Sequence, residues 1–366
     1  PRHAYAMGLV DVWARLAALA PSLANAVTHT PGLAGLARLA GGIAPAREVP
    51  RFAPYTFRRW YAATRRAGGR PAPAPGAASR GRVVLFVDTF NDHFHPETAI
   101  ATLEALEAAG YAVDVPARRV CCGRPLYDFG MLGRARRQLG GVLDAFAPHV
   151  EAGAPVVGIE PSCVAVLRDE LRDMLPDDPR ARRVADATLM LSELLERDAV
   201  PVPRLQARAI LQGHCHHHAV MKLDAELAVL RRMGLELERP DTGCCGMAGS
   251  FGFERGAPYD VSIAAGERGI LPAVRRAPKD ALVLADGFSC REQISQGTDR
   301  HGLHLAEVLR LAAAGQPVGP YPERRVVGRL PALPRRARIA RGLLHATLLA
   351  AFLAGVGALA RRKARS

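Results

Sequence analysis

Adjacent cysteines occur twice in this sequence, and each pair belongs to the same longer pattern. The seven cysteines are Cys121, Cys122, Cys163, Cys215, Cys244, Cys245 and Cys290. Each adjacent pair is followed by one lone cysteine. Cys215 precedes the second pair, and Thr89 stands at the equivalent place before the first pair. Three matched landmarks in one order, about 125 residues apart, indicate a duplicated module. The chain therefore has to fold into two similar units that each present a set of thiols.

The segments between these landmarks alternate short β-branched runs with runs of helical periodicity. In the first copy the predicted strands and helices cover residues 83–87, 97–109, 112–115, 132–146 and 156–159. Crossovers about one helix long favour parallel strands. We therefore expect an α/β protein with two tandem cysteine-rich modules, at residues 83–203 and 204–318, each built on a parallel sheet.

The predicted modules lie between segments of different composition. Residues 1–66 read as short helices that pack on the body of the protein, and residues 67–82 as a linker rich in Pro, Gly, Ala and Arg. Residues 319–366 form a basic tail that contains the uncharged stretch 342–360, a predicted hydrophobic helix. This helix is expected to span a membrane, to lie on an anionic membrane surface or to pack against a partner. A start at Pro1, without a Met-led leader, suggests a piece of a longer protein.

The excess positive charge lies at the two ends of the chain. The formal net charge is +14. Residues 1–80 hold 11 Lys and Arg against 2 acids and residues 320–366 hold 11 against 1, which leaves a mildly acidic body. Such a body offers no continuous basic surface for tracking phosphates, so we exclude nucleic acid as a partner.

The cysteine count favours metal binding over disulfides. An odd number of cysteines with two adjacent pairs is a poor disulfide framework, so we expect reduced thiols in a cytoplasmic protein. In the second copy, four thiols from three loops suit either an iron-sulphur cluster or a zinc ion. An adjacent pair is awkward for one small ion, which favours the cluster, while zinc and a redox or buried-thiol role stay open.

Six short stretches carry a resemblance to a known family. They are residues 86–90, 121–126, 160–163, 213–216, 244–252 and 286–290, and the longest reads Cys244-Cys-Gly-Met-Ala-Gly-Ser-Phe-Gly252. These stretches resemble the CCG, or cysteine-rich, domain found in duplicate in the catalytic subunit of heterodisulfide reductase. It also occurs in iron-sulphur subunits of glycolate oxidase and anaerobic glycerol-3-phosphate dehydrogenase. The stretches are similar in particular to the tails of FAD-linked oxidase fusions of the D-lactate dehydrogenase type.

The resemblance implies different roles for the two copies. The second copy should bind a four-iron, four-sulphur (4Fe-4S) cluster through Cys215, Cys244, Cys245 and Cys290. The family's closing Cys-x-x-Cys is shortened here to Ser289-Cys290. The first copy has Thr89 in place of the leading cysteine, so Cys121, Cys122 and Cys163 cannot complete an all-cysteine site. Three possibilities stay open for the first copy. It holds a cluster whose fourth ligand is Asp88, His93 or His95, it holds a zinc ion with one such ligand, or it is an empty structural copy.

The function that the resemblance implies is electron transfer. FAD is expected upstream or on a partner, because the sequence contains neither an FAD-binding domain nor the family's ferredoxin-like cysteine runs. The flavin would oxidise a 2-hydroxy acid such as lactate or glycolate, a ferredoxin-like domain would pass electrons on, and this chain would deliver them to a membrane acceptor such as quinone. We expect a location at the cytoplasmic face of the cell membrane. A disulfide-reducing module and a non-enzymatic zinc module for docking are the alternatives.

Several charged residues flank the cysteines. His214 or His216 is expected either to tune a cluster or to shuttle protons near neutral pH, and His217 and His218 are expected to lie on an exposed helix face. Glu160 tunes the first site or closes a turn. Three arginines near the cysteines either raise a cluster's potential or lie on a solvated face, and they are Arg124, Arg168 and Arg291.

Overall fold

A computed structural model describes residues 1–67, 80–240 and 243–337, and its first part is a group of short helices. They are α1 (Arg2–Gly8), α2 (Val10–Ala17), α3 (Pro21–His29), α4 (Leu33–Gly41) and α5 (Phe57–Arg66). Small residues such as Ala14 and Ala34 face the body of the protein, whereas Trp13 and Leu36 are exposed. The backbone N–H of Ala44 donates to the carbonyl of Phe253, which ties this segment to the rest of the chain. The predicted N-terminal helices are therefore present.

The first sheet has four parallel strands in the order β2-β1-β3-β4. They are β1 (Arg82–Phe86), β2 (Ala112–Asp114), β3 (Val156–Gly158) and β4 (Thr188–Met190). Val84 aligns with Val156 and Phe86 with Gly158, so the carboxyl ends of β1 and β3 lie side by side. The β-branched and aromatic residues of β1 are buried, as a strand covered on both faces requires.

The helices of the same part of the chain follow or connect these strands. They are α6 (Thr89–His93), α7 (Pro96–Ala108), α8 (Arg124–Asp128), α9 (Leu132–Glu151), α10 (Pro161–Arg168), α11 (Glu170–Met174), α12 (Pro179–Asp186) and α13 (Leu191–Arg197). Pro96 and Pro161 occupy a first helical position, where a missing N–H costs nothing. The predicted helices at 97–109 and 132–146 are confirmed, and the second of them continues to Glu151.

The second sheet has three parallel strands in the order β6-β5-β7. They are β5 (Ala207–Leu211), β6 (Leu235–Glu238) and β7 (Leu282–Leu284). The helices with them are α14 (Asp224–Met233), α15 (Ala257–Glu267), α16 (Ile270–Arg276), α17 (Phe288–Gly297) and α18 (Leu305–Ala313), with a π-turn at His217–Met221 and 3-10 turns at Phe251–Phe253 and Pro322–Arg325. The order β6-β5-β7 repeats the order β2-β1-β3, so the α/β class with parallel sheets is confirmed.

One hydrophobic core runs through both sheets. It joins Leu85 of β1 and Leu103 of α7 to Leu211 of β5 and Leu309 of α18. Helix α18 packs directly against α7. Each copy thus buries one face against the other, and the predicted module boundaries at 203–204 and 318–319 stay predictions.

The predicted linker and the predicted hydrophobic helix of the tail cannot be compared with the structure. Most of the linker at 67–82 and all of the hydrophobic stretch at 342–360 lie outside the described residues. Within residues 1–67, 80–240 and 243–337, no helix is both long enough and apolar enough to cross a membrane.

Candidate metal centre

The thiols lie at the carboxyl ends of the central strands. Thr89 begins the helix after β1, and Cys163 lies in the helix after β3. In the second copy, Cys215 follows β5 and Cys290 lies in the helix after β7. Because parallel strands end at one edge of a sheet, this topology brings residues far apart in sequence to one place.

The second copy gathers all four of its predicted ligands. The thiol of Cys244 lies close enough to those of Cys215 and Cys245 for both to shift its pKa, and the thiol of Cys290 acts in the same way on that of Cys245. Cys245 and Cys290 are buried, whereas Cys215 and Cys244 are exposed. Four thiols from three loops therefore form one group that extends from the protein interior to its surface.

The loop that carries Cys244 and Cys245 depends on glycine. Gly246 has a φ of 91°, and a Cβ atom at this position would lie 2.1 Å from the carbonyl oxygen of Ser262. A side chain there would clash with α15, so glycine lets the loop pack closely. The backbone N–H of Gly246 donates to Sγ of Cys244 at 3.3 Å, which is a contact that stabilises a thiolate.

The charge distribution in this group favours thiolate at Cys244. Hydrogen bonds from Cys215 and Cys245, together with the N–H of Gly246, lower the pKa of Cys244 to about 2. Burial, with a smaller repulsion from neighbouring histidines, lowers the pKa of His214 to about 3, so its ring is neutral at physiological pH. Four clustered sulphurs around a stabilised thiolate fit a soft metal ion or an iron-sulphur cluster.

The first copy brings together three thiols and one hydroxyl. Sγ of Cys122 lies 3.0 Å from Sγ of Cys163, and Cys121 interacts with Cys122. Thr89 interacts with Cys121 and donates its hydroxyl to Asp11 at 3.2 Å. Thr89 therefore takes the place of the missing thiol. The contribution of Asp11 from α2 could not be foreseen, because its position in the sequence lies far from every cysteine.

Two of the three candidate fourth ligands of the first copy, Asp88 and His95, have hydrogen-bonded partners. Asp88 caps α6 by accepting the N–H groups of Phe90 and Asn91. His93 is buried, and its Nδ1 lies 3.7 Å from a carboxylate oxygen of Asp92. His95 pairs with Glu97 at 3.2 Å and with Glu292 at 3.6 Å. The partners of Asp88 and His95 would compete with a metal ion for the same side chains, whereas Nδ1 of His93 has no hydrogen-bond partner among the described residues.

The histidines around Cys215 lie in two different environments. The ring of His216 stacks on that of His214, with 5.3 Å between the ring centroids, so both rings lie beside the thiol set. His218 is exposed, as expected. The tuning role predicted for His214 and His216 stays a prediction.

His217 differs from its expected position. The prediction that it lies on an exposed helix face is wrong, because His217 is fully buried and its Nδ1 lies 3.1 Å from a carboxylate oxygen of Glu226. Side-chain ligand atoms of His217, Glu226 and Asp286 lie within 4.8 Å of one another. The π-turn that begins at His217 directs this side chain into the interior, where the carboxylate of Glu226 provides a partner.

Two of the flanking arginines have structural partners. Arg124 pairs with Asp128 at 2.9 Å and also with Glu170, and Arg168 pairs with Glu193 at 2.7 Å. These contacts account for both arginines without a role at the thiols.

Two buried flanking residues join the copies to each other. Arg291 of the second copy donates to Oγ1 of Thr98 at 2.9 Å. Glu160 of the first copy accepts the N–H of Phe288 at 2.7 Å. Burial, with repulsion from Asp88, raises the pKa of Glu160 to about 7. Both side chains therefore hold the two thiol sets in a fixed relation.

Arg47 is a charged residue that sequence reasoning missed. It is 2% exposed, and its guanidinium donates to the carbonyl of Gly252 at 2.8 Å, to Ser262 at 3.0 Å and to Gln293 at 2.6 Å. All three acceptors are neutral, and the groups whose negative charge would stabilise this cation are Tyr259, Glu292 and Cys245. A buried cation thus lies beside the second thiol set.

A family model and several similar proteins assign the chain to the same family. The family model of the CCG cysteine-rich domain matches residues 85–168 and 215–283. The chain is 30% identical over 275 residues to a subunit of the anaerobic glycerol-3-phosphate dehydrogenase of Escherichia coli, a match that covers 73% of this chain and 66% of that protein. It is 32% identical over 245 residues to lactate utilization protein A of Geobacillus kaustophilus, covering 62% of this chain and 98% of that protein.

A longer relative extends the comparison. The chain is 28% identical over 314 residues to D-2-hydroxyglutarate dehydrogenase of Pseudomonas putida, covering 84% of this chain but 30% of that protein. The chain thus spans just under two thirds of the glycerol-3-phosphate dehydrogenase subunit and under a third of this longer dehydrogenase. The two matched regions, and the nearly full-length match to lactate utilization protein A, establish that the chain belongs to the CCG cysteine-rich domain family.

Proposed function

We propose that this chain is the iron-sulphur electron-transfer part of an oxidoreductase. The observation that carries the proposal is the group of four thiols in the second copy, namely Cys215, Cys244, Cys245 and Cys290. This donor set matches the all-cysteine coordination of a 4Fe-4S cluster. When bound, such a cluster supplies one-electron chemistry.

The protein's own residues would set how that chemistry is used. The exposed pair, Cys215 and Cys244, faces the surface where a redox partner can approach, while Cys245 and Cys290 anchor the site in the core. The N–H of Gly246 would adjust the charge at the sulphurs, with the neutral histidine ring beside it. A site with one face open and one face buried suits electron exchange with a partner protein.

The relatives' names suggest the reaction in which the chain takes part. They include a glycerol-3-phosphate dehydrogenase, a lactate utilization protein and a 2-hydroxyglutarate dehydrogenase. We infer that an FAD-binding domain or subunit oxidises a small 2-hydroxy acid of the lactate or glycolate type. A ferredoxin-like domain then passes electrons to this chain, which delivers them to a membrane acceptor such as quinone at the cytoplasmic face.

Metal analysis on anaerobically purified protein tests the proposal. About four irons and four sulphides per chain are expected, with an electron paramagnetic resonance (EPR) signal after reduction or oxidation. Zinc without sulphide would contradict electron transfer and would favour a module that docks a flavoprotein. The first copy is expected to add a second metal only if a non-cysteine ligand completes its three thiols.

A further inference from the structure

A cavity of about 670 Å³ lies between the N-terminal helices and helix α9. Five arginines contribute to its walls, and they are Arg15, Arg118, Arg119, Arg134 and Arg137. Cys121 of the first thiol set is also part of the lining. The cavity therefore places several arginine side chains next to the first thiol set.

Most of this positive charge has no counter-ion. Arg15 pairs with Asp11 at 2.7 Å, and Arg118 pairs with Asp144 at 2.9 Å. Across the described part of the chain, no carboxylate forms an ion pair with the other three arginines. Arg119, Arg134 and Arg137 are exposed, so water and salt screen their mutual repulsion, and their guanidinium groups stay accessible to an anion that enters the cavity.

The arginines also affect the neighbouring groups. Burial lowers the pKa of Arg58, and the charges of Arg119 and Arg15 lower it further, although Asp92 opposes the shift. Burial and the charges of Arg119 and Arg15 also lower the pKa of His93, although Asp92 and Asp11 oppose the shift. The positive field therefore extends beyond the cavity walls.

The duplication shows that the fold does not require this charge. Arg118 and Arg119 stand three and two residues before Cys121, and the equivalent sequence positions before Cys244 hold an aspartate and a threonine. Arg134 lies in the first turn of α9, which has no acidic residue, and a cation there opposes the helix dipole. The basic residues are thus a specific property of the first copy.

The remaining walls indicate what kind of anion fits. Leu9, Val10, Val120 and Leu126 line the cavity beside the arginines. Apolar walls with a few convergent charged groups are typical of small-molecule sites, and this volume lies in their usual range. Three guanidinium groups without an acidic partner match a ligand that carries at least two negative charges.

We propose that this cavity binds a small organic dianion, such as a dicarboxylate or a phosphate ester, next to Cys121. The guanidinium groups of Arg119, Arg134 and Arg137 hold the anionic groups, and the apolar walls contact the carbon skeleton. The proposal does not depend on whether either thiol set carries iron or zinc.

Isothermal titration calorimetry on the full chain tests the site with succinate and with glycerol 3-phosphate as probes. The double variant Arg134→Ser with Arg137→Ser is expected to bind the dianion about 100-fold more weakly, because two charge-assisted contacts are lost. Arg136→Ser is the matched control, since Arg136 lies on the same helix, is exposed and does not line the cavity. It should bind within about twofold of the unchanged protein.

Three outcomes would overturn the proposal. One is the absence of saturable binding of either probe, and another is an equal loss of affinity in the Arg136→Ser control. The third outcome is that the arginines bind lipid headgroups, which is tested with vesicles of phosphatidylcholine and phosphatidylglycerol. If the double variant loses vesicle binding while neither probe competes with vesicles, the arginines contact a membrane and not a small anion. Circular dichroism spectra that match the unchanged protein ensure that the variants are folded.

Discussion

Thr89 and Cys215 occupy equivalent positions at the ends of β1 and β5, and this one difference separates the two thiol sets. The second set has four thiols connected by pairwise side-chain interactions, whereas the first has three thiols and a hydroxyl that donates to Asp11. A hydroxyl is a poor ligand for iron in a cluster, since such clusters take thiolates. The two copies should therefore respond differently to loss of a cysteine.

Replacing Cys244 by Ser is expected to abolish the main cluster signal. The substitution removes the sulphur that interacts with both Cys215 and Cys245, so the four-thiol set is broken. Cys121→Ser is the matched variant of the first copy and should spare most of the signal. Iron and sulphide content with EPR measures both, and equal losses from the two variants would contradict the proposed asymmetry.

Arg47 is expected to raise the reduction potential of a cluster at the second set. Its buried positive charge has neutral hydrogen-bond acceptors and lies where Cys245 acts on it. Replacing Arg47 by Gln removes this charge and should lower the midpoint potential, on the order of 50 mV. A redox titration followed by EPR measures the shift, with iron content as a check on loading.

Arg47→Lys is the control for this prediction. It keeps the charge but loses the planar set of donors, so the potential should stay near its original value while stability falls. A shift as large in Arg47→Lys as in Arg47→Gln would assign the effect to hydrogen bonding and not to charge.

At the scale of elements, the loop after β6 determines whether the cysteine pair can reach its partners. Gly246 brings the loop against α15, where a side chain would meet the backbone of Ser262. Its left-handed conformation adds a second reason for glycine. The adjacent pair can therefore face the other two thiols only because the loop is this compact.

Gly246→Ala is expected to destabilise the protein by about 2–4 kcal/mol and to lower its metal content. Gly140→Ala is the control, because Gly140 lies inside α9 with nothing within 4 Å of the added Cβ atom. This control should stabilise the protein by about 0.5–1 kcal/mol. Urea unfolding measures both, and a neutral Gly246→Ala variant would contradict the close approach.

At the scale of the whole molecule, the two copies share a core. Leu85 of the first copy belongs to the same cluster as Leu211 and Leu309 of the second. Polar contacts connect the copies as well, and they join Arg291 to Thr98 and Glu160 to Phe288. The copies should therefore unfold together and not one after the other.

Urea unfolding is expected to show one transition by both tryptophan fluorescence and circular dichroism. Trp60 lies in the shared core, so its fluorescence reports on the same unit as the helices. Leu309→Ala, in α18, should shift both transitions equally, at a cost of about 2–4 kcal/mol. Two separated transitions, or a shift in one signal only, would show that the copies are independent.

Much of the local structure could be predicted from the sequence. The strands near 83–87 and 156–159 and the helix near 132–146 are local patterns of apolar periodicity, so the structure reproduces them to within a few residues. His217 shows the limit of this reasoning. Its neighbours His216 and His218 are more exposed, and nothing local indicates that the π-turn directs His217 inward to Glu226.

The sequence by itself determined the duplication, the α/β class and the four candidate ligands, because the cysteine spacing and the apolar periodicity of the strands are local patterns in the sequence. The tertiary structure alone decided which side chains surround those ligands. Arg47 and Asp11 come from the N-terminal segment, more than a hundred residues from the cysteines that they adjoin. Such contacts arise from the packing of elements through a shared core, and no local pattern in the chain encodes them.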